Sequence, residues 1–137
     1  MSTPHQAPAS TLAAVRVLVV DDNALVRALL TTLLESYGAT VTSVGSAAEA
    51  LRVLPLERPD VLLTDLSMPD ADGFSLIRQV RALSPENGGR TPAALVTGQA
   101  AAQDRAEVLR VGFQFCLAKP VNAGELVAAV TILATKE

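Results

Sequence analysis

The sequence predicts an α/β fold, a doubly wound five-stranded parallel sheet with helices on both faces. Two observations carry that prediction. Five short apolar or β-branched runs alternate with five segments of helical period, strand before helix each time. The central run, Val61-Leu62-Leu63, is apolar at consecutive positions, as in a strand covered on both sides. Connections are short and no second domain fits.

Each element has a local reason. Residues 1–13 (MSTPHQAPASTLA) lack apolar periodicity and read as a flexible tail or linker, leaving 14–137 as the domain. His5 lies in that tail and is assigned no role. Val15–Val20 is the first strand, ending at Asp21-Asp22; Asn23 caps a helix whose apolar positions recur through Leu34, with Gly38 as its stop. Thr40–Val44 is the second strand. Ser46 and Glu49 form a capping box for a helix expected to end near Leu54, before Pro55. Val61–Thr64 is the central strand, delivering Asp65 into a loop stiffened by Pro69. A third helix follows Asp72-Gly73 and continues to Leu83, and Ser84–Thr91 is a polar loop. Pro92–Thr97 is the fourth strand, Ala100–Val111 a helix and Gln114–Ala118 the fifth strand. Asn122 and Glu125 cap a last helix reaching about Ala134.

Composition narrows the function. The 137 residues are 50% hydrophobic with a net charge of −3, so the chain is globular and nucleic acid is a poor partner. Tyr37, Phe74, Phe113 and Phe115 are the only aromatics and do not interleave with basic residues. A single cysteine, Cys116, fits a reducing compartment. No stretch is long enough to span a bilayer, and the N-terminus does not resemble a signal peptide. A cytoplasmic location is expected.

The chemistry lies where strands end. In the order 2-1-3-4-5, taken from known doubly wound sheets, strands one and three are neighbours and ligands bind at the carboxyl edge. Asp21, Asp22, Asp65, Thr97 and Lys119 all fall there. Three carboxylates so close stay ionised only with a cation among them. Mg²⁺ suits them, with Mn²⁺ as a substitute. A carboxylate nucleophile, a metal and a lysine are what phosphoryl transfer needs. Singly, each has a plainer reading: Asp-Asp as a helix start, Asp65 as a turn cap, Lys119-Pro120 as an ordinary turn. The conjunction of four strand ends favours the chemical reading.

Asp21-Asp22, Asp65 with Met68-Pro69 and Asp72-Gly73, Thr97 and Lys119-Pro120 together resemble the signature of response-regulator receiver domains, the CheY-like family. The resemblance covers about residues 15–134 and implies a flavodoxin-like (βα)5 fold. It implies two-component phosphorelay signalling, in which Asp65 accepts a phosphoryl group from a histidine kinase or a histidine phosphotransfer protein. Asp22, Asp65 and the Ser67 backbone carbonyl would bind the metal, with Asp21 acting through water. Thr97 would be the switch hydroxyl, Lys119 would contact the phosphoryl group, and the Lys119-Pro120 bond would be cis. Ser67 and Gln99 match positions that tune phosphoryl lifetime. Such a domain is not an enzyme acting on a released substrate, although slow autodephosphorylation is expected. The stretches Gly88–Ala94, Gly112-Phe113-Gln114 and Leu117–Val121 are similar to receivers fused to hybrid histidine kinases.

One position departs from the pattern. Where receivers carry Tyr or Phe, three residues before the lysine, this chain has Cys116. Phe113 and Phe115 have the opposite strand parity and are not simple substitutes. A small packed hydrophobe is favoured over a redox switch. Asp70 is expected to be a solvated loop acid, and Asp72 to serve the turn before the third helix. Two other classes compete with this reading. A phosphorylation-independent interaction module is disfavoured by the complete acidic set. A phosphatase would want an acid where Ser67 stands.

Overall fold

The computed structural model describes residues 11–98 and 105–135. Its five strands are β1 (Arg16–Val20), β2 (Thr40–Val44), β3 (Val61–Thr64), β4 (Ala93–Thr97) and β5 (Phe115–Ala118). They form one parallel sheet in the order β2-β1-β3-β4-β5, as expected. Its helices are α1 (Ala24–Ser36), α2 (Ala47–Glu57), α3 (Gly73–Arg81), α4 (Arg105–Val111) and α5 (Ala123–Thr135). A 3-10 turn, Pro85–Asn87, interrupts the loop before β4.

Strand parity divides the core in two. Val17, Val19, Val61, Leu63, Ala94 and Val96 face α1 and α5, meeting Leu30, Leu34, Leu126, Val130 and Leu133. Leu18, Val20, Leu62, Ala93 and Leu95 face α2, α3 and α4, meeting Leu54, Leu76, Ile77, Val80 and Val108. All four residues of β3 are buried. Each buried aliphatic side chain contributes about 1.5–3 kcal/mol, so the central strands form a stiff floor from which the strand-end residues project.

Several boundaries differ from the sequence reading. Leu12, assigned there to the tail, is fully buried in the α1–α5 core. Its N–H donates to the Tyr37 carbonyl at 2.8 Å, and its carbonyl accepts from Val15 at 3.0 Å. Residues 1–10 lie outside those described. The second helix continues through Pro55 to Glu57. Proline forfeits one backbone donor, but Leu54 before it is anchored in the core, and Arg58, in a left-handed conformation, closes the helix by donating to the Leu54 carbonyl at 3.0 Å. The third helix stops at Arg81, whose guanidinium turns away to donate to the carbonyls of Gly89, Thr91 and Gly112. Burial lowers the Arg81 pKa from its ordinary value.

Candidate phosphoacceptor and metal site

Backbone bonds carry the sheet one residue beyond its strands. The Asp65 N–H donates to the Val20 carbonyl at 2.9 Å, and the Asp21 N–H to the Val44 carbonyl at 3.2 Å. Asp21 and Asp65 are consequently buried and fixed at the carboxyl edge, while Asp22 is exposed beside them. Carboxylate oxygens from all three lie within 4.8 Å of one another. Lys119 reaches the same point from β5: its Nζ donates to Asp21 Oδ2 at 2.8 Å and stands 3.5 Å from Asp65 Oδ1. Burial would pull the Lys119 ammonium down. The hydrogen bond to Asp21 and the charges of Asp21 and Asp65 outweigh burial, so its pKa lies above the ordinary lysine value.

Charge and donor type test the fit of a metal. Three carboxylates and one ammonium leave two negative charges uncompensated, the charge of one divalent cation. The ligands are all hard oxygens, and Asp22 on the open side gives access. Mg²⁺ fits this set. Both Asp21 oxygens already accept hydrogen bonds, from Lys119 and from the Asn23 N–H at 2.9 Å. That is in keeping with a lesser, indirect part for Asp21.

The remaining strand-end residues are close by in the fold. Thr97 ends β4 and is buried, and its carbonyl accepts from the Lys119 N–H at 2.8 Å. The Lys119-Pro120 bond is cis, as expected. Ser67 is exposed in the loop after β3. Gln99 lies outside the described residues. Asn23 caps α1 through bonds from Leu25 and Val26, and Asp72 caps α3, accepting from Ser75 at 2.7 Å. Gly73 is demanded by close approach: a Cβ there would come within 2.6 Å of the Asp65 carbonyl oxygen.

Two residues escaped the sequence reading. Arg27, on α1, donates to the Asp21 carbonyl at 2.6 Å and so braces the acidic turn from outside. Asp70 is exposed in its loop, as expected of a solvated acid, but it also accepts from the Ala47 N–H at 3.2 Å and the Ala48 N–H at 3.0 Å. The Ala48 bond foremost holds its carboxyl below the usual range; desolvation, the next largest effect, opposes it, and the Ala47 and local backbone bonds add to the lowering. Neither contact leaves a spacing signal, because each joins segments that only the folded sheet brings together. A third revision concerns Phe113. It lies before β5 begins, where parity no longer applies, and packs into the same α2–α3–α4 core as Cys116, whereas Phe115 joins the opposite face. Burial raises the Cys116 thiol pKa, with the Arg105 charge pulling the other way.

Known proteins bear on this geometry. The family model for the response regulator receiver domain matches residues 17–131, most of the chain. This chain belongs to that family. The receiver is 45% identical over 120 residues to an uncharacterized 14.6 kDa protein of Leptolyngbya boryana, covering 88% of this chain and 90% of that one. It is 33% identical to the sensor histidine kinase RcsC of Escherichia coli K12, covering 88% of this chain but only 12% of RcsC. A receiver domain from a sensor histidine kinase of Pseudomonas aeruginosa PAO1 superposes with a TM-score of 0.80 at 33% identity. That match covers 90% of this chain and all of the other, which was solved with a magnesium ion coordinated in its active-site cleft. Receivers of histidine kinases are therefore among its relatives. Among the described residues, no helix is long and apolar enough to cross a membrane.

Proposed function

We propose that this receiver takes a phosphoryl group onto Asp65 from a phosphohistidine, and that the acyl phosphate switches the surface formed by α4, β5 and α5 for a partner. The observation that carries this reading is the convergence of Asp21, Asp22, Asp65 and Lys119 at one strand edge. A carboxylate oxygen of Asp65 attacks phosphorus in line, the P–O bond forms as the P–N bond breaks, and the imidazole leaves with a solvent proton. Lys119 exchanges part of its contact with the carboxylates for a phosphoryl oxygen, and the Thr97 hydroxyl donates to another. Asp22, Asp65 and the Ser67 carbonyl, with Asp21 behind them, would hold Mg²⁺ (or Mn²⁺). When bound, the ion offsets the negative charge that otherwise repels the phosphodonor. Ser67 and Gln99 would set how readily water removes the group. The domain modifies itself and turns over no released substrate.

The donor is a histidine kinase or a histidine phosphotransfer protein, placed in the cytoplasm with this domain. It must bring a histidine to Asp65, so its surface rests on the rim of the site. A cavity of about 430 Å³ between α1 and the turn after β5 suits that contact; it is lined by Val26, Leu29, Leu33, Pro120 and Val121 and reaches Lys119. Leu25 and Leu29 extend the apolar surface outward. Fusion to a kinase, as in RcsC, is one setting for such a domain.

The test is to supply acetyl phosphate or beryllofluoride with Mg²⁺ and compare the protein with Asp65→Asn. Uptake by the wild type and none by the variant is expected. Absence of uptake in both would replace this reading with a phosphorylation-independent interaction module.

A further inference from the structure

Two backbone bonds and one side-chain clamp surround the acidic cluster. The end of β3 is bonded to β1 by Asp65 N–H to Val20, and the end of β1 to β2 by Asp21 N–H to Val44. The third runs the other way. Asp70 reaches from the loop after β3, across the end of β1, to the first two N–H groups of α2. Ser46 accepts from the next, Glu49, at 3.2 Å. The other fixed points of the loop are local: Gly73 N–H to the Leu66 carbonyl at 2.7 Å, and the Asp72 cap on α3. Among the described hydrogen bonds of residues 66–72, those of Asp70 are the ones that reach beyond β3 and α3.

Resting on the phosphoacceptor reading, we propose that Asp70 is a positioning residue for the divalent cation. By clamping the loop to α2 it fixes where the Ser67 carbonyl stands relative to Asp22 and Asp65. Two carboxylate oxygens on two adjacent N–H groups restrain rotation as well as distance, and Pro69 stiffens the link back toward Ser67. A loop released from α2 still folds, since β3, α3 and their core contacts are untouched, but it presents its carbonyl less consistently.

Mg²⁺ binding to the whole protein, measured by calorimetry with the ion alone, tests this. Asp70→Ala is expected to weaken Mg²⁺ binding roughly tenfold, the lower end of the range for residues that support metal ligands. Asp70→Asn keeps one acceptor oxygen and falls between; it also stands in should the alanine variant fail to fold. Ser46→Ala removes a neighbouring α2 cap without touching the loop, and is expected to lower stability while leaving Mg²⁺ affinity unchanged. Wild-type affinity in the foldable Asp70 variant, or equal weakening by Ser46→Ala, would overturn the proposal and leave the phosphoacceptor reading standing. A wild-type protein that binds no Mg²⁺ would overturn both.

Discussion

The two sides of the carboxyl edge are built differently. At β1 and β3 the strand residues are almost wholly buried, backbone bonds extend the sheet past the strand ends, and Arg27, Asp70 and Asp72 brace the loops. At β5 all four residues are only half-buried, and Cys116 takes the place of the usual aromatic ring. Under the proposed function the buried side would hold the nucleophile, which loses its rate advantage if misplaced by an ångström. The half-buried β5 side would carry the read-out while still supplying Lys119 to the site.

That contrast can be broken most forcefully in the core. Leu63→Ala, in β3, is expected to cost about 2–5 kcal/mol of stability, and Leu117→Ala, in half-buried β5, clearly less. Denaturant unfolding of the two variants measures it, and equal losses would remove the distinction. A smaller effect concerns the lysine that spans both sides. Because the folded state holds Lys119 above its ordinary pKa, its ion pairs contribute fully below the unfolded value, about 10.4, and fade as pH rises through the higher folded value. The stability difference between wild type and Lys119→Met should therefore stay constant from roughly pH 6 to pH 9 and shrink only at more alkaline pH. A difference already shrinking near neutrality would mean the carboxylates do not hold the ammonium.

The smallest effect lies at Cys116. Burial raises its pKa, so the protonated thiol prevails at neutral pH and the thiolate forms only above the ordinary range, about 8.5. Alkylation of the native protein should be slower than that of the unfolded chain, with a rate that rises at more alkaline pH. A midpoint below the ordinary range would mark an activated thiol and contradict the reading of Cys116 as a small packed hydrophobe.

The sequence was legible where residue type answers to local physics. Short apolar or β-branched runs placed the strands, and carboxylates or lysine at strand ends announced a charged edge. Asn23, Ser46 and Asn122 cap helices as their positions suggested, and Asp72, read as a turn residue, caps α3. What stayed hidden depends on distance across the fold. Leu12 looks like tail composition until Tyr37 is beside it, and Pro55 looks like a stop until Leu54 is anchored beneath it. The capping box around Ser46 closes differently too, for the Glu49 side chain accepts from Gly45 at 2.9 Å. Asp70 and Ala47 are far apart in the chain, and only the β2-β1-β3 order makes them neighbours.

The most direct measurement of the central claim is peptide mapping of the phosphoryl adduct after incubation with acetyl phosphate, with and without Mg²⁺. A single adduct on the peptide bearing Asp65, formed only with the metal, is the predicted result. An adduct on another residue, or one formed equally well in excess chelator, would contradict it.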